Sequence, residues 1–257
     1  MIYFKERVDT IAGDAIWMGL PKDLQDVPKL VTEKTGIEVD ILPLEACSVP
    51  LFRIEKAAAA LDIDGDAQRI TVWCDPEKIT AFTLGHELIH LRRYVLEGTP
   101  VMAPFRCGPR ETSLILMVEN ELEHLLIIPE EIKRFTDSED WWSKHYSELV
   151  DTIVARPKPS ILELIFTWTQ LRSSLPSQME IARKLGAHLQ SLGPEFVRTV
   201  DHIRCNAMES LPDKVRLLTL FSGELKEISQ CVAIGRWEMS GGRLEFSYKM
   251  AAGLRLS

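Results

Sequence analysis

The chain lacks the long apolar runs that mark membrane proteins and the apolar leader that marks secreted ones. None of its uninterrupted apolar stretches reaches the roughly 18 residues that a membrane-spanning helix requires. The first ten residues, MIYFKERVDT, carry charges too early for a secretory signal peptide. These two observations predict a cytoplasmic protein with no membrane partner.

Closely spaced cysteine pairs are also missing. The sequence has five cysteines, an odd number, and no C-x-x-C spacing. We therefore expect reduced thiols rather than a disulfide framework or a cysteine-based structural zinc site. The five are Cys47, Cys74, Cys107, Cys205 and Cys231.

Positive charge is in deficit, because 30 lysines and arginines face 38 aspartates and glutamates and leave a net charge of -8 at pH 7. This balance gives no global attraction to nucleic acid, although it is compatible with a local basic surface. Hydrophobic residues make up 46% of the 257 positions, which is enough for one large domain or two smaller ones.

What the sequence does contain is a metal-binding pattern, TLGHELIHLRR, from Thr83 to Arg93. His86 and His90 are four residues apart, so one helical turn brings both imidazoles to the same face, where they can bind one metal ion. Glu87 lies beside them and can act as a general base toward water. This H-E-x-x-H pattern is typical of zinc peptidases and predicts Zn²⁺ as the cofactor.

A hydrolytic zinc site needs a third protein ligand, and the glutamates of a second helix are the candidates. Glu119 shares its helical face with Ile115 and Leu122, so we expect it to point toward the core and to be the third ligand. Glu123, one turn further on, could orient a histidine from outside the metal shell, and Glu121 remains an alternative ligand. Donors for the developing oxyanion stay open among Tyr94, His124, His145 and Tyr146.

The motif has a recognisable local setting. The run Gln68–Cys74, QRITVWC, predicts a strand because it is rich in β-branched and aromatic residues. Asp75 is the expected N-cap of the following helix, with Pro76 at its first position and Gly98 near its end. The second helix is expected to stop at Pro129.

The rest of the chain also reads as a mixture of helices and strands. Residues 2–35 look helical in parts, and GIEVDILPL alternates like a strand. After Phe135 the composition becomes polar and then meets Pro157 and Pro159, which predicts a domain boundary. Helices are expected at 161–171, 178–192 and 195–208, and strands at 216–221, 231–239 and 243–250, the last two joined by a hairpin at 240–242.

The strand, the turn and ITAFTLGHELIHLRR, followed by a glutamate-bearing apolar helix that reaches IIP, resemble the ImmA/IrrE metallopeptidases. The resemblance covers roughly residues 36–135 and is most specific at the metal motif. Asn120 follows Glu119 where the family has alanine, and Leu122 or Leu125 replaces an aromatic residue. The resemblance implies a cytoplasmic zinc protease that cleaves a helix-turn-helix repressor and so induces genes of DNA-damage response or antiviral defence, as in CBASS anti-phage operons.

The expected fold class is α+β. We expect a gluzincin-like metallopeptidase domain at residues 1–135, a helical linker at 136–176, and at 177–257 a small α/β domain that resembles GAF or PAS sensors. Ala182 and Gly186 have a spacing seen in helix-turn-helix units, so DNA or a small-molecule signal is a candidate partner of this last domain.

Two functions therefore compete. One is a zinc endopeptidase regulated by its C-terminal domain, and the other is a DNA-binding or scaffold regulator with a vestigial structural zinc site. Glu87 favours the endopeptidase, because a structural zinc site has no use for a general base.

Cys107 is a candidate regulator of the metal site. It lies in APFRCGPRE, a turn-rich loop between the two metal-bearing helices, and its thiolate could occupy the fourth position on zinc and inhibit hydrolysis. The run FRCGP resembles the inhibitory cysteine switch of matrix metalloproteinase propeptides. A small residue in a surface loop is the alternative interpretation.

Overall fold

The computed structural model describes residues 13–47, 58–156, 160–175, 177–192 and 228–251. These residues form seven α-helices and two three-stranded sheets, which confirms the expected α+β class. Among the described helices, none has both the length and the hydropathy that crossing a membrane requires. The gluzincin-like and sensor-like architectures stay predictions.

The described helices are α1 (Gly13–Met18), α2 (Lys22–Thr35), α3 (Ala81–Leu91), α4 (Pro109–Arg134), α5 (Ser138–Ala155), α6 (Ile161–Ser173) and α7 (Met179–Leu192). A π-helical turn, Arg92–Leu96, follows α3, and short 3-10 turns occur at Leu44–Ala46 and Ser229–Cys231. The strands are β1 (Val39–Pro43), β2 (Ala59–Asp64), β3 (Arg69–Cys74), β4 (Val101–Pro104), β5 (Val232–Ser240) and β6 (Arg243–Met250). The expected helix at 195–208 and strand at 216–221 lie outside the described residues.

The chain divides into two compact units. The first unit combines residues 1–101 with 235–248, and the second combines residues 102–234 with 249–257. Helices α1 to α3, strands β1 to β3 and most of the β5–β6 hairpin belong to the first unit, whereas α4 to α7 belong to the second. The division at 135 and 176 that composition suggested stays a prediction.

The first unit is built around β3, the central strand of its sheet. Strand β1 pairs with it in parallel and β2 pairs with it antiparallel, so that Ile41 and Leu61 flank Val72 on either side. Every residue of β3 from Ile70 to Cys74 is buried, as expected for a strand rich in β-branched residues. Helix α3 packs against β2 and α2, which fixes the metal motif on a rigid layer.

Helix α3 begins at Ala81, five residues later than the sequence predicted. Thr80 is its N-cap: its hydroxyl accepts the backbone N–H of Thr83 at 3.1 Å, and the Thr83 hydroxyl accepts the N–H of Thr80 at 2.9 Å. The predicted N-cap, Asp75, instead closes a separate turn in which its carboxylate accepts the N–H of Glu77 and pairs with Lys78. The reciprocal threonine cap satisfies two backbone donors, so the helix starts there.

The C-terminal end of α3 is held by a cation. Lys34, in the last turn of α2, donates from Nζ to the carbonyl oxygens of Val95 at 2.8 Å and Leu96 at 3.0 Å. A cation at this position suits the negative end of a helix. Gly98 follows with a φ of 68°, which confirms the predicted end of the helical segment.

Helix α4 does not stop at Pro129, and that prediction is wrong. The helix continues to Arg134 because its last turns are anchored in the core of the second unit. Ile128 and Glu131 on either side of the proline are buried, and the indole N–H of Trp142 donates to the Glu131 carboxylate at 2.8 Å. Burial of these residues outweighs the one backbone hydrogen bond that proline removes.

Helices α6 and α7 pack closely, and Gly186 is the reason they can. A Cβ atom at position 186 would come within 2.8 Å of the Trp168 ring. The buried stripe of α7, formed by Ala182, Leu185 and Leu189, is that of an ordinary amphipathic helix. Close packing against Trp168 explains why position 186 is a glycine, and a role in DNA binding is not needed to explain it. DNA binding by this segment stays a prediction.

The β5–β6 hairpin confirms the two strands expected near the C-terminus. Gly241 and Gly242 form its two-residue loop with φ values of 57° and 80°, as a type I′ turn requires. Within the first unit, the Gln68 side chain donates to the carbonyl of Leu244 at 2.8 Å and accepts its N–H at 2.9 Å. One amide side chain thus pairs with the hairpin as a strand residue would.

We expect Thr80→Ala to lower the free energy of unfolding by about 1 kcal/mol, because the variant loses a side-chain cap. Urea denaturation at constant slope measures the change. Thr152→Ala is the matched control, since Thr152 is an exposed threonine within α5 whose hydroxyl donates only to the Glu148 carbonyl. Equal stability of the two variants would show that the capping box does not support α3.

Candidate metal centre

Helix α3 presents two histidines side by side. Its buried residues Leu84, Leu88 and Leu91 fix its orientation, and the His86 and His90 rings lie with centroids 4.8 Å apart in an edge-to-face arrangement. Their Nε2 atoms are 3.2 Å apart. The predicted convergence of the two imidazoles, one helical turn apart, is therefore present in the structure.

This separation fits a shared metal ion. Zinc–nitrogen bonds of about 2.0–2.1 Å in tetrahedral geometry hold two ligand nitrogens about 3.3–3.4 Å apart. The 3.2 Å distance between His86 Nε2 and His90 Nε2 is close to that spacing without any change of side-chain rotamer. Without a metal, the same distance suits a hydrogen bond between the two ring nitrogens.

A third histidine completes a metal-binding group. Among the described residues, ligand atoms of His86, His90 and His124 lie within 4.8 Å of one another, and this group could hold a metal ion. Neutral imidazoles bind several divalent transition metals, so the group alone does not single out zinc. The H-E-x-x-H motif therefore contributes two members of a group that could hold a metal ion, and zinc stays a prediction.

Glu87 lies above the central strand of the sheet. The thiol of Cys74, at the end of β3, is buried, and burial together with the Glu87 carboxylate raises its pKa to about 12. Cys74 is therefore a neutral thiol at physiological pH and supplies neither a nucleophile nor a thiolate ligand. Glu87 itself is only partly buried, as a group that exchanges protons with bound water must be.

Tyr94, one of the four candidate oxyanion donors, lies beside His90 of α3. It belongs to the π-helical turn after α3, and its ring centroid is 5.5 Å from that of His90. Such turns inside helices are frequent at functional sites. Tyr146 is different, because burial and the neighbouring carboxylates of Glu121 and Glu131 raise its pKa well above the usual value. His145 stacks on Trp141 within α5, at 5.4 Å between centroids.

Glu119, the predicted third ligand, is buried in the second unit. One carboxylate oxygen accepts the backbone N–H of Met102 at 2.8 Å, which fixes the orientation of the side chain. Glu119 is not a member of the three-histidine group. Its role as a ligand stays a prediction.

The two neighbouring glutamates have different surroundings. The side-chain amide of Gln170 donates to the backbone carbonyl of Glu121 at 2.8 Å. Burial raises the pKa of the Glu121 carboxyl group to about 7. The role of Glu121 as the alternative ligand stays a prediction. Glu123 is fully buried, and its proposed role in orienting a histidine stays a prediction.

Sequence reasoning considered His124 only as an oxyanion donor, because the search for the third ligand was restricted to glutamates. The available signal was a histidine inside the otherwise apolar run LEHLLIIP. In the structure His124 is buried, and its ring lies edge-to-face with Trp142 at 5.2 Å between centroids. The Trp142 indole is in turn oriented by its hydrogen bond to Glu131, so the His124 ring packs against an aromatic ring of fixed orientation.

Cys107 precedes α4, and its thiol is 3.3 Å from the hydroxyl of Thr112 in the first turn of that helix. It does not belong to the three-histidine group. The predicted inhibitory contact with the metal stays a prediction.

Comparison of the chain with family models, with curated proteins and with solved structures finds no match in any of the three. The likeness to the ImmA/IrrE metallopeptidases therefore stays a resemblance carried by the quoted residues. What the site can do must be argued from its own chemistry.

Proposed function

We propose that the protein is a zinc-dependent endopeptidase. One observation carries the proposal: two imidazole Nε2 atoms 3.2 Å apart on one helix, with Glu87 as the next residue after the first histidine. Two neutral nitrogens and an adjacent carboxylate form the donor set and the base that hydrolytic zinc sites use. The group found among the described residues consists of histidines, whereas closed structural zinc sites usually include cysteine thiolates.

The residues would divide the work as follows. His86 and His90 hold the ion, which when bound acidifies water and polarises the scissile carbonyl. Glu87 accepts a proton from the attacking water and later delivers it to the leaving amine. Tyr94, beside His90, donates its hydroxyl hydrogen to the oxyanion that develops on the substrate.

Two residues are candidates for the third metal ligand, and different observations support each of them. His124 belongs to the histidine group of the structure, whereas Glu119 was favoured by its place on the helical face and by the family resemblance. Both side chains are buried and both are oriented, by Trp142 and by the Met102 N–H respectively. A three-histidine set would leave the metal more positively charged than a set that includes a carboxylate.

The substrate and the regulation are proposed from the resemblance alone. A helix-turn-helix repressor would be the substrate, cleaved in the cytoplasm to induce stress-response or phage-defence genes, with the C-terminal region responding to DNA or a small molecule. The alternative is a DNA-binding or scaffold regulator in which the metal is only structural. The position of Glu87 next to the metal histidines favours the enzyme.

We expect His124→Ala and Glu119→Ala to differ in zinc content. The variant that removes the true third ligand should lose most of its bound zinc, because missing ligands lower metal affinity more than missing orienting groups do. Metal analysis after dialysis against zinc-free buffer measures the ratio of metal to protein.

Glu148→Ala is the control, since Glu148 is an exposed residue of α5. Full zinc retention in Glu119→Ala, together with loss in His124→Ala, would replace the glutamate with the histidine as the third ligand. Retention in both variants would exclude both candidates.

We expect Glu87→Gln to keep zinc and to lose proteolysis by at least about 100-fold, because the amide preserves shape but cannot accept a proton. Zinc-loaded proteins are incubated with a library of proteome-derived peptides, and new termini are counted by mass spectrometry. Glu77→Gln, an exposed change in the turn before α3, is the control. Wild-type cleavage by zinc-loaded Glu87→Gln, or no cleavage by the zinc-loaded parent, would reject the peptidase and favour the structural zinc site.

A further inference from the structure

Two partly exposed cysteines lie together in the second unit. Cys107 follows β4, and Cys231 ends the 3-10 turn that leads into β5. The backbone N–H of Phe105 donates to the carbonyl of Cys231 at 2.8 Å, which brings the two segments into register. The two thiols lie close enough to interact electrostatically.

The backbone next to Cys107 has an unusual conformation. Arg106 has a φ of 52°, in the left-handed region that non-glycine residues seldom occupy. Arg106 lies between Cys107 and Phe105, whose N–H donates to the Cys231 carbonyl. Cys107 is therefore only two residues from a backbone hydrogen bond to the other cysteine.

Packing fixes the pair from the other side. Both cysteines rest against one buried apolar cluster, which includes Met102, Ile115 and Val232. The Cys107 thiol also contacts the hydroxyl of Thr112 at 3.3 Å, and the Cys231 thiol donates to the carbonyl of Ile228 at 3.2 Å. Each sulfur is thus positioned by the fold and by the other sulfur.

The other described cysteines are unsuited to redox chemistry. Cys47 and Cys74 are fully buried, and burial together with Glu87 raises the pKa of Cys74 to about 12. Reactive cysteines need access to solvent and a thiolate. Among the described residues, Cys107 and Cys231 alone combine partial exposure with a neighbouring thiol.

We propose that Cys107 and Cys231 form a redox-active dithiol whose co-reactant is a low-molecular-weight disulfide of the glutathione class. One protein thiolate attacks a sulfur of the oxidant, displaces one small thiolate and forms a mixed disulfide. The second protein thiol then attacks the protein sulfur of that mixed disulfide and releases the second small thiol. Two S–H bonds are lost and one S–S bond forms between the cysteines, while two electrons and two protons reduce the oxidant to two thiols.

The disulfide would change the protein beyond the two residues. It would close a long loop of chain and restrict the unfolded state, so the oxidised protein should unfold at a higher temperature. Its formation would also remove the hydrogen of the Cys107 thiol, whose sulfur contacts the Thr112 hydroxyl in the first turn of α4. None of this depends on peptidase activity, so the inference goes beyond the proposed function and is tested without it.

The test oxidises the reduced full-length protein in buffers of defined ratios of oxidised to reduced glutathione, blocks remaining thiols and maps the peptides by mass spectrometry. We expect one linked pair, Cys107 with Cys231, that dithiothreitol reverses, and a rise in melting temperature. Cys231→Ser should trap a glutathione adduct on Cys107 and show no linkage. Cys205→Ser removes a competing thiol and should leave the linked pair unchanged.

Three outcomes would overturn the proposal. The wild-type thiols could stay reduced when oxidised glutathione is in large excess, glutathione adducts could accumulate on either cysteine without linkage, or either cysteine could link instead to Cys205. Because each outcome is measured on the wild-type protein, poor folding of a variant does not change its meaning. Linkage that survives in Cys205→Ser, and is absent from Cys107→Ser, supports the pair.

Discussion

The candidate site depends on one geometric constraint, the single helical turn between His86 and His90. An α-helix places residues four apart on the same face, and the two Nε2 atoms consequently lie 3.2 Å apart. Unwinding of the helix between these two residues would separate them. The features of the first unit that matter for function are therefore those that keep α3 intact and oriented.

Three kinds of interaction meet this requirement in the first unit. The Thr80–Thr83 capping box defines where α3 begins, and Lys34 binds the carbonyl oxygens after its end. Between these ends, the leucines of α3 are buried in the core, and α3 contacts strand β2 of the sheet centred on β3. Cys74, at the end of β3, is a neutral thiol, so it places no second negative charge beside the Glu87 carboxylate.

The sequence was most informative where one pattern has one physical meaning. The His86–His90 spacing, the run of β3 and the Gly241–Gly242 loop each predict one geometry, and the structure has it. Predictions failed where local signals compete with tertiary packing. Asp75 has the side chain of a good N-cap, but it begins a separate turn before the helix. Pro129 was expected to end its helix, but the helix continues because Glu131 beyond it is buried and bound to Trp142. Which side chain completes the metal group depends on packing that spacing along one helix cannot reveal.

The buried ionisable residues of α4 are the remaining physical problem. Glu119, Glu123, His124 and Glu131 are all nearly or fully buried, although removing such groups from water is costly. Apolar residues of similar size would usually give equal or greater stability, so stability alone does not explain them. Glu131 has a structural partner in the Trp142 indole, and that indole also orients the His124 ring. Metal binding would offset the cost for the histidine, because the ion replaces the water that the imidazole loses on burial.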